Sequence, residues 1–222
     1  MKGYSLHAVN NLCYEELDYP ECESGWCVIK VKAAGICSSD IPRVYTKGTY
    51  HFPTVPGHEF SGVVDKVADG ENEYLVGKKV GIFPLIPCRK CEQCKSGHYE
   101  MCANYDYVGS RRDGGFAEYV TVPVWNLIEL SDDVSFEEAA MMEPLAVALH
   151  AMKIANIKDD DTVAVIGTGM IAFAAAQWAK KLGASEVVVI GRSESKRKIA
   201  DNIPEIKYLT FKKRFVTGVL SL

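Results

Sequence analysis

Four cysteines lie close together in this 222-residue chain: Cys88, Cys91, Cys94 and Cys102. Gaps of two, two and seven residues separate them. Thiolates at this spacing can surround Zn²⁺ tetrahedrally and so order a loop that has little apolar content of its own. An iron–sulfur run would favour a gap of three residues and a following proline, and a zinc finger would favour two cysteine pairs with a long spacer. The spacing therefore predicts a structural zinc site whose four protein ligands leave no position for a substrate.

A second set of potential metal ligands is spread along the chain: Cys37, His58 and Glu143. A lone cysteine or histidine is more often a core or surface residue than a ligand. Together, however, these three residues supply the thiolate, imidazole and carboxylate of a zinc site that keeps one position open for catalysis. We therefore predict a second, catalytic zinc site.

A glycine-rich turn in the second half of the chain has the pattern of a dinucleotide-binding motif. Residues 167–172 read Gly-Thr-Gly-Met-Ile-Ala, after a predicted strand at 162–166 and before a predicted helix at 171–182. Backbone N–H groups at the start of such a helix bind pyrophosphate. The residues expected to contact the cofactor are Gly167, Gly169, Met170 and Ile171.

Arg192 lies in the part of this motif that distinguishes NADP from NAD. An NAD site places an acidic residue at the end of the second strand, and here the predicted buried strand at 187–190 is followed by the small, uncharged Gly191 and then by Arg192. A guanidinium there would attract the ribose phosphate that a carboxylate repels. This favours NADP over NAD; the alternative is that Arg192 and Lys196 decorate a solvated helix start.

The elements that must position these residues change character near Ser135. Before it, period-two alternation predicts strands, separated by long loops rich in Gly, Pro and Cys. The strands span residues 28–33, 62–67 and 116–122, and the loops span 42–56 and 84–113. Ser135 and Glu138 form a capping box that opens a predicted helix over 136–155, kinked at Pro144. The strand–helix–strand unit that follows is typical of a parallel α/β domain.

Composition and charge argue against several classes of function. The chain has 25 Lys and Arg against 29 Asp and Glu, a net charge of −4, and so no global field that attracts nucleic acid or an anionic membrane. No apolar run approaches the length of a membrane span, and the first ten residues carry no long apolar stretch. Eight cysteines in such a chain favour metal binding over a disulfide framework. We therefore expect a cytoplasmic protein that binds neither nucleic acid nor membrane.

Taken together, these motifs resemble the zinc-dependent medium-chain alcohol and polyol dehydrogenases. The resemblance implies a mixed fold, with an N-terminal GroES-like β domain that carries both zinc sites over residues 1–154 and an incomplete Rossmann α/β domain over 155–222. It implies a small-molecule substrate, zinc in both sites, and NADP or NAD as hydride acceptor. Full-length members are expected to form homo-oligomers.

The resemblance also assigns roles to single residues. Cys37 and His58 match the first two catalytic zinc ligands, and Glu143 matches the third protein ligand of the polyol branch. Glu59 matches a neighbouring carboxylate that can replace a ligand, so which of the two glutamates ligates the zinc stays open. Two further matches are the hydroxyl that relays the substrate proton and the carboxylate that orients the ligand histidine: Ser39 and Asp40.

The substrate that the resemblance implies is a polyol, because a carboxylate replaces a third thiolate at the catalytic zinc. The stretch 105–119, together with residues 40–43, is most similar to the branch that oxidises galactitol 1-phosphate. Three arginines are then expected to hold the phosphate, since guanidinium groups match phosphate oxygens. They are Arg43, Arg111 and Arg112. The alternative is that they form ion pairs with Asp106 or Asp113. Sorbitol, xylitol and an amino alcohol of the threonine type stay open as substrates.

The end of the chain does not complete the expected nucleotide domain. Such a domain has about six parallel strands, and the roughly 30 residues after position 190 allow about one more strand–helix unit. The final stretch 208–222, with Lys212, Lys213 and Arg214, does not follow the family pattern. We therefore expect a truncated or frame-shifted product, or a fragment. A catalytically inactive zinc-binding remnant is the alternative function.

Overall fold

The computed structural model describes residues 1–211 and divides the chain into two compact units, Met1–Glu143 and a second unit that begins at Pro144. From the sequence, the division is expected after residue 154. The structure divides the chain earlier because Ala148 is fully buried in one cluster with Ala174 and Ala175 of the second unit. The mixed α/β architecture predicted from the sequence is confirmed.

The first unit is built on antiparallel strands. In chain order they are β1 (Lys2–Ala8), β2 (Asn11–Glu16), β3 (Trp26–Gly35), β4 (Glu59–Val67), β5 (Lys79–Ile82), β6 (Leu85–Ile86), β7 (Asp106–Tyr107), β8 (Tyr119–Pro123) and β9 (Leu127–Glu129). Strands β8, β3, β4, β5 and β9 form one five-stranded sheet in that order. The pairs β1–β2 and β6–β7 form two small sheets of their own.

The large sheet buries one apolar core. Alternate residues on neighbouring strands meet there, and Ile29, Val64, Val80 and Val122 are each at most 1% exposed. Burying a side chain of this kind contributes roughly 1.5–3 kcal/mol. The core therefore fixes the strands whose ends carry the candidate site.

The strands predicted at 28–33 and 62–67 are confirmed within β3 and β4. The strand predicted at 116–122 begins later, at Tyr119. Its first residues pair elsewhere: Phe116 donates its N–H to Pro56 O at 3.0 Å, and its C=O accepts the N–H of Tyr4 at 2.8 Å.

Helical segments of the first unit are short. They are α1 (Asp40–Pro42), a π-helical turn (Arg43–Lys47), 3-10 turns at Gly70–Leu75, Tyr99–Met101 and Val124–Asn126, α2 (Glu92–Lys95) and α3 (Phe136–Ala140). The next helix, α4 (Met142–Ala155), continues into the second unit. The predicted capping box is confirmed: Ser135 Oγ accepts the N–H of Glu138 at 3.2 Å, and the Glu138 carboxylate accepts the N–H of Ser135 at 2.8 Å.

The helix predicted over 136–155 is broken at Met141 rather than kinked at Pro144. Pro144 lies in the first turn of α4. A proline lacks the N–H that an unbroken helix would need there, and its ring would clash with the preceding turn, whereas a first-turn N–H needs no helical partner. The proline therefore starts a new helix.

The second unit is a parallel α/β layer. Its elements are β10 (Thr162–Ile166), α5 (Met170–Lys181), β11 (Glu186–Gly191), a 3-10 turn (Glu194–Lys196), α6 (Arg197–Asp201) and β12 (Ile206–Thr210). The strands lie in the order β10, β11, β12, all parallel, which confirms the predicted strand–helix–strand unit. Val187 and Val189 of β11 are fully buried in one cluster with Ala176 and Ala179 of α5.

The first strand of the second unit is more exposed than its sequence predicts, and the end of the chain is described only in part. Ile166 is 85% exposed although the apolar run of β10 predicts a buried strand. Within residues 1–211, β10 is an edge strand that pairs with β11 alone. Of the stretch 208–222, only residues up to 211 are described, so Lys212, Lys213 and Arg214 lie outside the described residues. No helix within residues 1–211 is long and apolar enough to cross a membrane.

Close backbone packing positions the segment that leads into β4. Gly57 has φ +98°, a conformation that favours glycine. Its carbonyl accepts the N–H of Gly115 at 2.8 Å, and Gly114 donates to Val55 O at 2.8 Å. A Cβ on Gly114 would meet the Gly57 and Pro56 carbonyl oxygens, closer than van der Waals contact to that of Gly57. These contacts determine the position of the next residue, His58, which directly precedes β4.

Replacing Gly114 with alanine is expected to destabilise the first unit. The methyl group would meet backbone atoms, which cannot move aside as a flexible side chain does, and overpacking of this kind costs about 2 kcal/mol or more. Gly70→Ala is the matched control, because a Cβ there meets nothing within 4 Å. Denaturant unfolding of both variants measures the effect, and equal stabilities would contradict the packing described.

Candidate metal centres and cofactor site

The four-cysteine loop has the geometry of a closed metal site. The Sγ atoms of Cys88, Cys91, Cys94 and Cys102 all lie within 4.8 Å of one another, and those of Cys91 and Cys102 are 4.0 Å apart. A tetrahedral Zn²⁺ with bonds of about 2.3 Å requires sulfur–sulfur separations of about 3.8 Å. The four thiols therefore fit a structural zinc ion.

Backbone N–H groups of the loop favour thiolate at two of these residues. Those of Cys94 and Ala103 lower the pKa of the Cys91 thiol to about 6, and those of Lys90 and Cys91 lower the pKa of the Cys88 thiol. Burial instead raises the pKa of the Cys94 thiol to about 12. Because thiolate is the ligating form, a metal must deprotonate Cys94 on binding.

A second cluster lies where two neighbouring strands meet. In the antiparallel pair β3–β4, Gly35 lies opposite Glu59. Cys37, two residues beyond β3, and His58, one residue before β4, therefore reach the same edge of the sheet. The ligand atoms of Cys37, His58 and Glu59 all lie within 4.8 Å of one another. This set of thiolate, imidazole and carboxylate fits a zinc ion and leaves coordination positions open.

Asp40 holds this cluster together. Its buried carboxylate accepts the N–H of Cys37 at 3.0 Å and a hydrogen bond from Arg43 Nη1 at 2.6 Å. The same carboxylate lies 3.7 Å from Nδ1 of His58, a buried nitrogen with no hydrogen-bond partner among the described residues. With Nδ1 turned towards Asp40, Nε2 is the nitrogen left for a metal.

Burial also suits the ring of His58 to ligation. It lowers the pKa of the imidazole, opposed by the charge of Asp40 and assisted by that of Arg43. A neutral imidazole is the form that binds a metal. The ring therefore favours the neutral form although the carboxylate of Asp40 lies close to it.

The carboxylate in this cluster comes from Glu59 and not from Glu143. From the sequence, Glu143 matches the third ligand and Glu59 a neighbouring carboxylate that can replace a ligand, so the choice between them stays open. In the structure, Glu143 Oε1 accepts a hydrogen bond from Tyr107 Oη at 3.4 Å, and burial together with the charge of Glu59 raises the pKa of Glu143. The two carboxylates are thus close enough to interact, with Glu59 among the ligand atoms and Glu143 bound to Tyr107.

Tyr107 is a site residue that the sequence motifs do not single out. Its ring meets the His58 ring edge-on, with 5.8 Å between centroids, and its hydroxyl binds Glu143. Burial raises the pKa of this hydroxyl, so that it stays a hydrogen-bond donor. Its place in the aromatic stretch before the Gly109 turn is the only sequence signal that could have pointed to it.

Ser39 lies beside the second cluster and is exposed to solvent. Burial raises the pKa of the Cys37 thiol, while hydrogen bonds from the side chain and backbone of Ser39 oppose that rise. The hydroxyl is therefore next to a candidate ligand and also open to water.

The predicted cofactor residues come together at the carboxyl end of β10. Gly167 has φ +139°, a backbone conformation that favours glycine. Gly169 is the N-cap of α5, with open space where a Cβ would stand. Met170 and Ile171 form the first turn of α5 and are each about two-fifths exposed. The backbone N–H groups of this turn fit a pyrophosphate.

Arg192 directly follows β11, at the same carboxyl end of the parallel strands as the glycine-rich turn. It is exposed, and no carboxylate within residues 1–211 pairs with it. Its neighbour Gly191 packs so closely on Tyr208 and Thr168 that a Cβ would collide with both. The end of β11 is thereby held next to the glycine-rich turn.

The three arginines expected to hold a phosphate have different surroundings. Arg43 pairs with Asp40 at 2.6 Å, and Arg112 pairs with Asp106. For Arg112 the structure thus shows the ion-pair alternative. Arg111 pairs with no carboxylate in the described part of the chain and lies between two tyrosine rings.

Comparison with known proteins agrees with this geometry. Residues 23–132 match the alcohol dehydrogenase GroES-like domain. Galactitol 1-phosphate 5-dehydrogenase of Escherichia coli (strain K12) is 42% identical over 172 residues, which are 78% of this chain and 50% of that protein. The chain therefore spans about half the length of this curated relative.

Solved structures resemble the chain over nearly its whole length. Galactitol-1-phosphate dehydrogenase from Escherichia coli superposes with a TM-score of 0.89 at 35% identity, covering 99% of this chain and 65% of that one. The NADH complex of an alcohol dehydrogenase from E. coli CFT073 superposes with a TM-score of 0.90 at 30% identity, covering 100% of this chain and 65% of that one. The predicted GroES-like β domain and partial Rossmann sheet are confirmed, and the chain belongs to the zinc-dependent alcohol and polyol dehydrogenase family.

Proposed function

We propose that the protein to which this chain belongs oxidises a polyol phosphate of the galactitol 1-phosphate type and transfers the hydride to NADP or NAD. The cluster of Cys37, His58 and Glu59 carries the proposal, because it offers a metal three ligands and an open side. The name of the Escherichia coli relative, galactitol 1-phosphate 5-dehydrogenase, supports the substrate class. Galactitol metabolism in the cytoplasm would follow, and eight free cysteines accord with a reducing compartment.

The oxidation removes a hydride from the hydroxyl-bearing carbon and a proton from its hydroxyl. Zinc, when bound, would supply Lewis-acid polarisation of the substrate oxygen. Ser39, exposed beside Cys37, accepts the hydroxyl proton and passes its own to water. Asp40 holds Cys37 and His58 in place. The hydride acceptor is the nicotinamide ring, whose pyrophosphate the turn before α5 would bind.

Metal content tests both clusters at once. The purified chain is expected to bind about two zinc ions, one in each cluster. Cys94→Ala and Cys37→Ala should each leave about one. The melting temperature should fall further for Cys94→Ala, because the loop around it depends on the metal for its order.

Atomic absorption measures the zinc, and calorimetry measures the melting temperature. Cys13→Ala is the matched control, since its thiol donates to Asn11 Oδ1 at 3.3 Å and belongs to neither cluster. A native chain with zinc in the four-cysteine loop alone would contradict the catalytic site.

The proton relay is tested by Ser39→Ala with Ser38→Ala as the neighbouring control. With galactitol 1-phosphate and either nicotinamide cofactor, Ser39→Ala is expected to lower kcat about 10²-fold, the contribution of a positioned acid–base group. Ser38→Ala should leave it unchanged. Nicotinamide reduction is followed by absorbance. Equal rates for the two variants would exclude the relay, and oxidation of threonine in preference to any polyol would overturn the proposed substrate class.

Cofactor preference is tested at Arg192. The exposed guanidinium favours a ribose phosphate, so Arg192→Asp is expected to weaken NADP binding about tenfold or more and to leave NAD binding nearly unchanged. Lys198→Asp, an equal charge change on the exposed face of α6, should alter neither. Fluorescence titration measures both affinities, and tighter binding of NAD than of NADP by the unmodified chain would refute the preference.

A further inference from the structure

Arg111 is clamped between two aromatic rings. Its Cζ lies 4.2 Å from the ring centroid of Tyr50 and 4.4 Å from that of Tyr105. Contacts at this distance are cation–π interactions, in which the charge of the guanidinium is attracted to the ring faces. The two rings therefore hold the guanidinium in place.

The charge of Arg111 is not neutralised by the described part of the protein. No carboxylate within residues 1–211 forms an ion pair with it, whereas Arg43 and Arg112 are paired with Asp40 and Asp106. Its Nε is buried and has no hydrogen-bond partner among the described residues. A buried donor without a partner is unfavourable, and an anion is the ligand that would compensate the charge beside it.

An open cleft of about 510 Å³ lies against this guanidinium. Its lining consists of Tyr50, Ala103, Asn104, Tyr105, Asp106 and Arg111. The volume is that of a small-molecule site, and the Asn104 amide and the tyrosine hydroxyls add uncharged donors. The one acidic residue, Asp106, has its charge taken up by Arg112, so it does not repel an anion as an unpaired carboxylate would.

Backbone hydrogen bonds connect the cleft to the second metal cluster. The N–H of Arg111 donates to Tyr107 O at 3.0 Å, and Tyr107 contacts both His58 and Glu143. On the other side, His51 Nε2 bonds to Arg111 O at 3.1 Å, which holds the segment carrying Tyr50. A ligand bound at Arg111 therefore lies on the loop that also lines the metal cluster.

We propose that Arg111, clamped by Tyr50 and Tyr105, is the phosphate-binding residue that determines substrate specificity. The ligand group is a phosphate monoester, which matches the guanidinium fork with two oxygens. The assignment separates Arg111 from Arg43 and Arg112, whose donors are engaged by carboxylates. That the phosphate belongs to a polyol rests on the proposed function. That Arg111 binds an anion rests on its contacts with Tyr50 and Tyr105 and on the adjoining cleft.

Binding, measured apart from turnover, tests the proposal. Calorimetric titration of the zinc-loaded chain with galactitol 1-phosphate, galactitol and inorganic phosphate compares the ester with its two parts. The ester is expected to bind about tenfold or more tightly than galactitol, and Arg111→Gln should remove that advantage while leaving galactitol binding within about twofold. Arg111→Lys should recover part of it, because the charge remains and the fork is lost.

Lys66→Gln, which removes one exposed positive charge from β4, is the matched control and should leave all three affinities unchanged. Circular dichroism checks that each variant is folded. Equal losses of ester and galactitol binding in Arg111→Gln, or no loss of either, would overturn the assignment. If the chain binds phosphate at Arg111 but oxidises no polyol, the proposed function alone is refuted. If the rate of polyol phosphate oxidation is the same with and without the Arg111 side chain, this inference alone is refuted.

Discussion

The pairing of β3 with β4 is the constraint on which the second metal cluster depends. Gly35 opposes Glu59 in this pair, and a Cβ on Gly35 would lie 2.7 Å from Glu59 Oε2. Glycine therefore lets the carboxylate lie across the end of β3, towards Cys37. A register shift of one residue would turn Glu59 to the other face of the sheet and separate carboxylate from thiolate. The buried core of the sheet holds that register.

Two long loops add the remaining groups, and each is positioned in its own way. The segment before β4 is positioned by backbone contacts of Gly57 with Gly114 and Gly115. The four-cysteine loop brings its thiols within metal-binding distance of one another, so a bound zinc would replace the core that this loop lacks.

Charge is distributed unequally among the groups around these loops. Asp40 and Asp106 neutralise Arg43 and Arg112, and their ion pairs order the loops locally. Arg111 is stacked on aromatic rings instead, which orients a cation without neutralising it. The same residue type thus stabilises the loop at two positions and offers a donor to a ligand at the third.

Those features that depend on neighbours in the chain could be predicted from the sequence. The thiols of the four-cysteine loop lie within fifteen residues of one another, so their spacing is enough to indicate a common metal. The Ser135 capping box and the strand–helix–strand unit are equally local. The resemblance carried by Cys37, His58 and the glycine-rich turn then predicts the fold of both units.

Tertiary structure decided what depends on residues distant in sequence. It placed Glu59 rather than Glu143 among the ligand atoms, because the end of β4 meets the end of β3. It also brought Tyr107 against His58 and made Arg111 the unpaired arginine of the three. Composition and periodicity do not encode such contacts, because each distance is determined by how separate strands and loops pack together.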